Sequence, residues 1–134
     1  MITAVDTSIV LDVIVDDPTW KDRSIALLNQ ARAEGQLIIS EIALAEITPA
    51  LGTGPDTVHD LLNDWQLDFV PCSVEAAAHA GNCFTQYLQR GGKRGRIVAD
   101  FLIAAHAQHH ADRLLARDDG FKRDYFKELE LLSP

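Results

Sequence analysis

Ile2-Thr3-Ala4-Val5-Asp6-Thr7-Ser8-Ile9-Val10-Leu11-Asp12-Val13-Ile14-Val15 opens the chain with two hydrophobic patterns in succession. Ile2–Val5 is a short, nearly continuous apolar run and reads as a buried strand. Ser8–Val15 instead carries Ile9, Val10, Val13 and Ile14 at the spacing of one helical face. Asp16-Asp17-Pro18 then breaks the helix. A strand that runs straight into a helix, closed by an acid, sets the pattern for the rest of the sequence.

The pattern recurs downstream. Thr19–Glu34 reads as a helix with Ile25, Leu27, Leu28 and Ala31 inward and Gly35 as its stop. Leu37–Ile39 is a second strand. Ser40 suits the N-cap of a helix through Ile47 that ends near Pro49. Gly52-Thr53-Gly54-Pro55 is a loop, followed by a helix from Asp56 to about Trp65. Leu67–Pro71 is a third strand. Ser73 caps a long helix to about Gln89, Ile97–Ala111 is the most apolar helix, Arg113–Ala116 is strand four and Leu129–Leu132 a fifth. Strands alternating with helices predict an α/β domain with a central, mostly parallel sheet and helices on both faces. A chain of 134 residues is expected to form one domain, residues 1–134.

Composition narrows the class further. Hydrophobic residues make up 47% and charged residues 24%, which is ordinary for a soluble domain. No apolar stretch approaches a membrane span, so no membrane partner is expected. Asp6 and Asp12 interrupt any signal-like segment, so a cytoplasmic location is the expectation. Cys72 and Cys83 match no metal or redox spacing and read as reduced, partly buried thiols. The net charge of −8 argues against a nucleic-acid partner until its distribution is considered. Residues 90–134 hold 9 of the 12 Lys and Arg residues, and local patches set phosphate contacts.

Four acids are hard to explain structurally. Asp6 closes the first strand, and Asp118 follows Leu114-Leu115-Ala116-Arg117. Taken singly, each suits a cap or turn. Glu46 has Ile42, Ala43, Pro49 and Ala50 as its helical neighbours, and a solvated glutamate usually has polar company there. Asp100 interrupts Ile97-Val98-Ala99-Asp100-Phe101-Leu102-Ile103-Ala104-Ala105, with Arg96 the one polar neighbour on its face; a buried Asp100–Arg96 pair is the structural alternative. Ligands of parallel α/β sheets sit beyond the carboxyl ends of strands, where Asp6 and Asp118 fall. With Glu46 and Asp100 on adjoining helices, the four acids would form one pocket. Such a pocket suits Mg²⁺ or Mn²⁺ and phosphodiester hydrolysis, because without a cation the carboxylates would repel one another and the substrate.

At these residues the sequence resembles a known family. Val5-Asp6-Thr7-Ser8, Glu46 within Ile42-Ala43-Leu44-Ala45-Glu46-Ile47, Asp100-Phe101-Leu102-Ile103-Ala104-Ala105-His106-Ala107 and Leu114-Leu115-Ala116-Arg117-Asp118 look like the motifs of PIN domains. Their order, their spacing and the chain length resemble the VapC type of toxin ribonuclease. The resemblance implies a PIN-like three-layer α/β fold and a Mg²⁺- or Mn²⁺-dependent endoribonuclease, the toxin of a toxin–antitoxin pair. It implies Asp6, Glu46, Asp100 and Asp118 as the catalytic, metal-holding acids, with Thr7 or Ser8 orienting a water or a carboxylate. It also implies an RNA substrate, a cognate VapB-like antitoxin and a homodimer. The family often has Thr or Ser two residues before the last acid, where this chain has Ala116. That hydroxyl cannot help here, and Asp119 is the substitute for Asp118 as the last acid.

Weaker signals complete the reading. Arg90, Lys93, Arg94 and Arg96 around Gly91-Gly92, together with Arg117, are candidates for RNA phosphate contacts, with an ordinary solvated turn as the alternative. The turn is no P-loop, since no Ser or Thr follows Lys93. His106, His109 and His110 read as a solvated helix end, because His106 lies about 240° around the helix from Asp100. Trp20 and Trp65 read as packing residues, with Trp20 also placed for a partner surface. Two other classes remain open: another Mg-dependent acidic-pocket phosphohydrolase, or a non-catalytic Mg-binding α/β regulatory domain. The first would want Asp-x-Asp after strand one, where Asp6 is followed by Thr7-Ser8. The second would want an acceptor acid after the middle strand, where Val70-Pro71-Cys72 offers none.

Overall fold

Five strands line up in the order β3-β2-β1-β4-β5, and every pairing is parallel. They are β1 (Ile2–Val5), β2 (Gln36–Ile39), β3 (Leu67–Phe69), β4 (Arg113–Leu115) and β5 (Glu130–Leu132). The helices are α1 (Thr7–Ile14), α2 (Lys21–Glu34), α3 (Glu41–Leu51), α4 (Asp56–Trp65), α5 (Val74–Gln89), α6 (Ile97–His110) and α7 (Lys122–Tyr125). This computed structural model describes all residues except 55, 94–96 and 118–121, and only the backbone of Ile97. Among the described residues, no helix is long and apolar enough to cross a membrane.

The strand order explains why acids collect at one place. From β1 the chain steps outward to β2 and β3, then returns across the sheet to β4 and β5. Right-handed crossovers in opposite directions put α1–α4 on one face and α5–α7 on the other. The direction reverses between β1 and β4, which pair Thr3 with Arg113 and Val5 with Leu115. The carboxyl ends of these two strands therefore flank the crevice where ligands of such sheets bind. Successive residues of β1, β2 and β4 are buried because both faces are covered. The expected α/β architecture with helices on both faces is the observed one.

Local chemistry fixes the element ends. Ser40 Oγ accepts from Ala43 N–H at 3.2 Å and Ser73 Oγ from Ala76 N–H at 3.1 Å, the two expected caps. Gly35 is forced by close approach: a Cβ there would stand 1.9 Å from the Met1 carbonyl oxygen. Helix α3 does not stop near Pro49 but runs through it to Leu51. Near a C-terminus proline removes only one intrahelical hydrogen bond, and the helix ends two residues later. Strand β3 stops at Phe69, short of Pro71, although Val70 N–H still donates to Ile39 C=O at 3.0 Å.

The expectation of a solvated helix end fails for His106, while His109 is exposed and His110 half-buried. His106 is buried, with Nε2 2.6 Å from the Val70 carbonyl oxygen, so Nε2 carries the proton. His110 Nε2 accepts from Ser73 N–H at 3.1 Å, and His109 Nε2 lies 3.0 Å from His79 Nδ1. The reason is the packing of α5 along α6, which covers a face that helical periodicity alone leaves to solvent. Cys72 and Cys83 are free thiols, as expected, and burial pushes both pKa values up.

Burial also holds His106 below its usual pKa, with the His110 ring acting in the same direction. The folded state then resists protonation that the unfolded chain accepts. Stability present above about pH 6.5, the ordinary histidine value, should fall as pH drops below it. His79 is shifted in the same direction by burial and by His109. Urea unfolding at pH 7.5 and 5.5 should show a smaller loss in His106→Gln than in the wild type. Equal losses would remove His106 from the pH response.

Candidate active site

Asp6 stands at the carboxyl end of β1 and is also the N-cap of α1. Its Oδ2 accepts from Ser8 N–H at 3.1 Å and from the Ser8 hydroxyl at 2.5 Å. Asp6 N–H donates to Leu115 C=O at 2.9 Å, which joins the ends of β1 and β4. Ser8 completes the tie, since its Oγ accepts from Arg117 N–H at 3.1 Å. The cap reading and the pocket reading of Asp6 thus describe one side chain. It is 6% exposed.

Glu46 reaches the same place from α3, and Thr7 Oγ1 donates to its Oε1 at 2.8 Å. Each hydroxyl of the Thr7-Ser8 pair therefore holds a different carboxylate. Asp100, in the first turn of α6, joins Asp6, Thr7, Ser8, Leu11, Glu46, Arg117 and Lys122 around a cavity of about 320 Å³. Three of the four acids singled out in the sequence line this one cavity. Asp118 and its substitute Asp119 lie outside the described residues, as do Arg94 and Arg96. Among the described residues, no three His, Cys, Asp or Glu side chains close into a tight ligand cluster. The donor set around the cavity is nonetheless carboxylate and hydroxyl oxygen, the type preferred by hard divalent cations.

Two contributors escaped sequence reasoning. Asp12 is 2% exposed, accepts from Ser24 Oγ at 2.9 Å, and pairs through Oδ1 with Arg117 Nη1 at 3.0 Å. Arg117 also lies 3.7 Å from Asp17 Oδ2, and its guanidinium sits 5.5 Å from the Trp20 ring centroid. Hydrogen bonds from the backbone N–H groups of Trp20 and Thr19, with Arg117 a lesser cause, hold the Asp17 pKa below its usual value. Arg117, proposed from sequence for RNA, is thus fixed against α1 and the α1–α2 turn. Asp12 had at most a partial signal: Ile9 and Val15 stand three residues to either side, but Ser8 and Asp16 stand four to either side. Lys122 had none. It starts α7, an element the sequence reading did not foresee, and is 4% exposed beside the acids. Of the other basic candidates, Arg90 packs over Tyr125 with 5.2 Å to the ring centroid, and Lys93 is exposed.

Comparison with known proteins agrees with this architecture. The PIN domain family model matches residues 3–127. The chain belongs to the PIN-domain family. Among solved structures it is similar to VapBC2 from Rickettsia felis, described as bound to a DNA fragment from the promoter, at 25% identity and a TM-score of 0.74. That match covers 99% of this chain and 98% of the other. FitAcB from Neisseria gonorrhoeae matches at 22% identity and a TM-score of 0.67, covering 100% of this chain and 98% of the other. VapBC-1 from nontypeable Haemophilus influenzae matches at 17% identity and a TM-score of 0.72, covering 99% and 98% respectively. Comparison with curated proteins by sequence returns no match. The resemblance to VapC-type PIN domains drawn from the motifs is borne out.

Proposed function

We propose that residues 1–134 act as one PIN-like domain, a metal-dependent endoribonuclease that serves as the toxin of a toxin–antitoxin pair in the cytoplasm. The observation that carries this reading is the meeting of Asp6, Glu46 and Asp100, from three separate elements, around one cavity at the switch point of the sheet. These three, with Asp118 or Asp119, would hold Mg²⁺ or Mn²⁺. Such an ion, when bound, neutralises substrate phosphate and activates water for hydrolysis. The chain's own hydroxyls do the positioning: Thr7 holds Glu46, and Ser8 holds Asp6 against the end of β4.

A VapB-like antitoxin is the proposed partner, and the protein is proposed to pair with itself. Supporting the antitoxin is a groove of about 160 Å³ lined by Val13 of α1, Ile25, Leu28, Asn29 and Arg32 of α2, and Trp65 at the end of α4. Its lining is mostly apolar with two polar side chains, a composition that suits an amphipathic helix. The groove lies between the first two helices and the end of α4, and the solved structures of similar fold include VapBC complexes.

Incubation with total RNA tests the reading. Cleavage is expected with Mg²⁺ or Mn²⁺, is expected to stop with chelator, and should be suppressed by the product of an adjacent upstream reading frame. RNA left whole at every metal tested would count against a ribonuclease. Cleavage undiminished by that product, with no complex on size measurement, would remove the antitoxin assignment alone.

A further inference from the structure

Arg117 lines the acidic cavity together with Asp6, Glu46 and Asp100, yet its guanidinium is held by other partners. Asp12, 2% exposed on α1, takes Arg117 Nη1 at 3.0 Å on Oδ1, while its Oδ2 accepts from Ser24 Oγ at 2.9 Å. Asp17 Oδ2 lies 3.7 Å from the same Nη1, and the Trp20 ring offers a cation–π face at 5.5 Å. The main chain of Arg117 is instead tied to the cavity. Its N–H donates to Ser8 Oγ at 3.1 Å, and the Ser8 hydroxyl donates to Asp6 Oδ2 at 2.5 Å. One serine hydroxyl thus separates the backbone of this arginine from the carboxylate of Asp6. We propose that Asp12 is a positioning residue: it holds the Arg117 guanidinium off Asp6, Glu46 and Asp100, and so leaves those acids open to a divalent cation. This inference rests on the metal-dependent reading of the cavity and deepens it.

The electrostatics give the device its purpose. A guanidinium is always charged, and its fork of donors matches carboxylate oxygens. Released beside three acids, it would pair with them and compete with a metal ion for the same oxygens. The burial of Asp12 points the same way. A buried ion pair is seldom the most stable filling for its volume, and well-packed apolar side chains often serve as well. What this pair does, and apolar side chains could not, is fix where a cation in the cavity wall sits. A pair that served the fold alone would leave metal affinity indifferent to Arg117 once Asp12 had lost its charge.

The experiment compares wild type, Asp12→Asn, Arg117→Gln and the double variant carrying both changes. Asparagine keeps the size of Asp12 and can still accept from Ser24. The reading is the Mn²⁺ concentration that gives the half-maximal rise in melting temperature without RNA, each protein being compared with its own metal-free state. For Asp12→Asn this midpoint should move up about tenfold, at the low end of measured couplings between close charges. The double variant should return to the wild-type midpoint, since no guanidinium remains to compete. Arg117→Gln alone should need no more Mn²⁺ than wild type. An unmoved midpoint in Asp12→Asn overturns the inference and leaves the ion site standing. A midpoint raised equally in Asp12→Asn and in the double variant also overturns it, in favour of a structural role. If Asp12→Asn does not fold, Asp12→Ser takes its place, alone and with Arg117→Gln, and equal midpoints for those two overturn the inference. A wild-type melting temperature that no Mn²⁺ concentration moves removes the ion site and this inference with it. RNA left whole by wild-type protein that still binds Mn²⁺ removes the ribonuclease reading alone.

Discussion

Asp100→Asn is expected to lower metal-dependent RNA cleavage by at least about 100-fold while leaving the fold in place, and Asp6→Asn to do the same. The magnitude is that of removing one preorganised charge from a site where charge develops. The two substitutions probe different structural burdens. Asp100 lies in the first turn of α6, and its exchange for asparagine changes charge at nearly constant volume. Asp6 caps α1 and receives two hydrogen bonds from Ser8. Asparagine is as good an N-cap as aspartate and can accept the same bonds, so Asp6→Asn isolates the charge. Asp6→Ala would add a loss of about 1 kcal/mol in helix capping and confuse the two effects. Circular dichroism and a melting curve on each variant, beside the cleavage rate, separate them. Either variant cleaving near the wild-type rate would show that its acid has no part in the chemistry.

How far the sequence exposes this site depends on what makes each residue visible. The first strand and helix are legible because their apolar periods differ sharply over only fourteen residues. Asp6, Glu46 and Asp100 are legible because each is an acid in apolar company, and the parallel sheet supplies a reason for them to meet. Asp12 meets that test only in part, with Ile9 and Val15 three residues away but Ser8 and Asp16 four away, so it reads as the wet face of an amphipathic helix. Its partner, Arg117, is far along the chain and adjacent only in the folded sheet. Lys122 is invisible for a related reason. Nothing local distinguishes a lysine that lines a cavity from one that stays in water. His106 was misplaced because helical periodicity assigns faces and does not say which face a neighbouring helix will cover.

Mg²⁺ or Mn²⁺ at millimolar concentration is expected to raise the melting temperature of the wild-type protein, by roughly 10 °C when the ion is at about 100 times its Kd. The gain arises because the folded chain draws Asp6, Glu46 and Asp100 around one cavity, whereas the unfolded chain does not. Binding to the folded state alone shifts the equilibrium by mass action. Glu46→Gln should reduce the gain and keep the local structure, since glutamine can still accept from the Thr7 hydroxyl that now binds Glu46 Oε1 at 2.8 Å. Asp100→Asn should reduce it as well. In metal-free buffer the order should reverse, with Glu46→Gln at least as stable as wild type, because one member of a set of like charges has lost its charge while the Thr7 hydrogen bond is kept. Thermal melts of the three proteins with chelator, and then with rising Mn²⁺, check both halves. A wild-type melting temperature that does not move at millimolar metal would mean that these acids do not form an ion site.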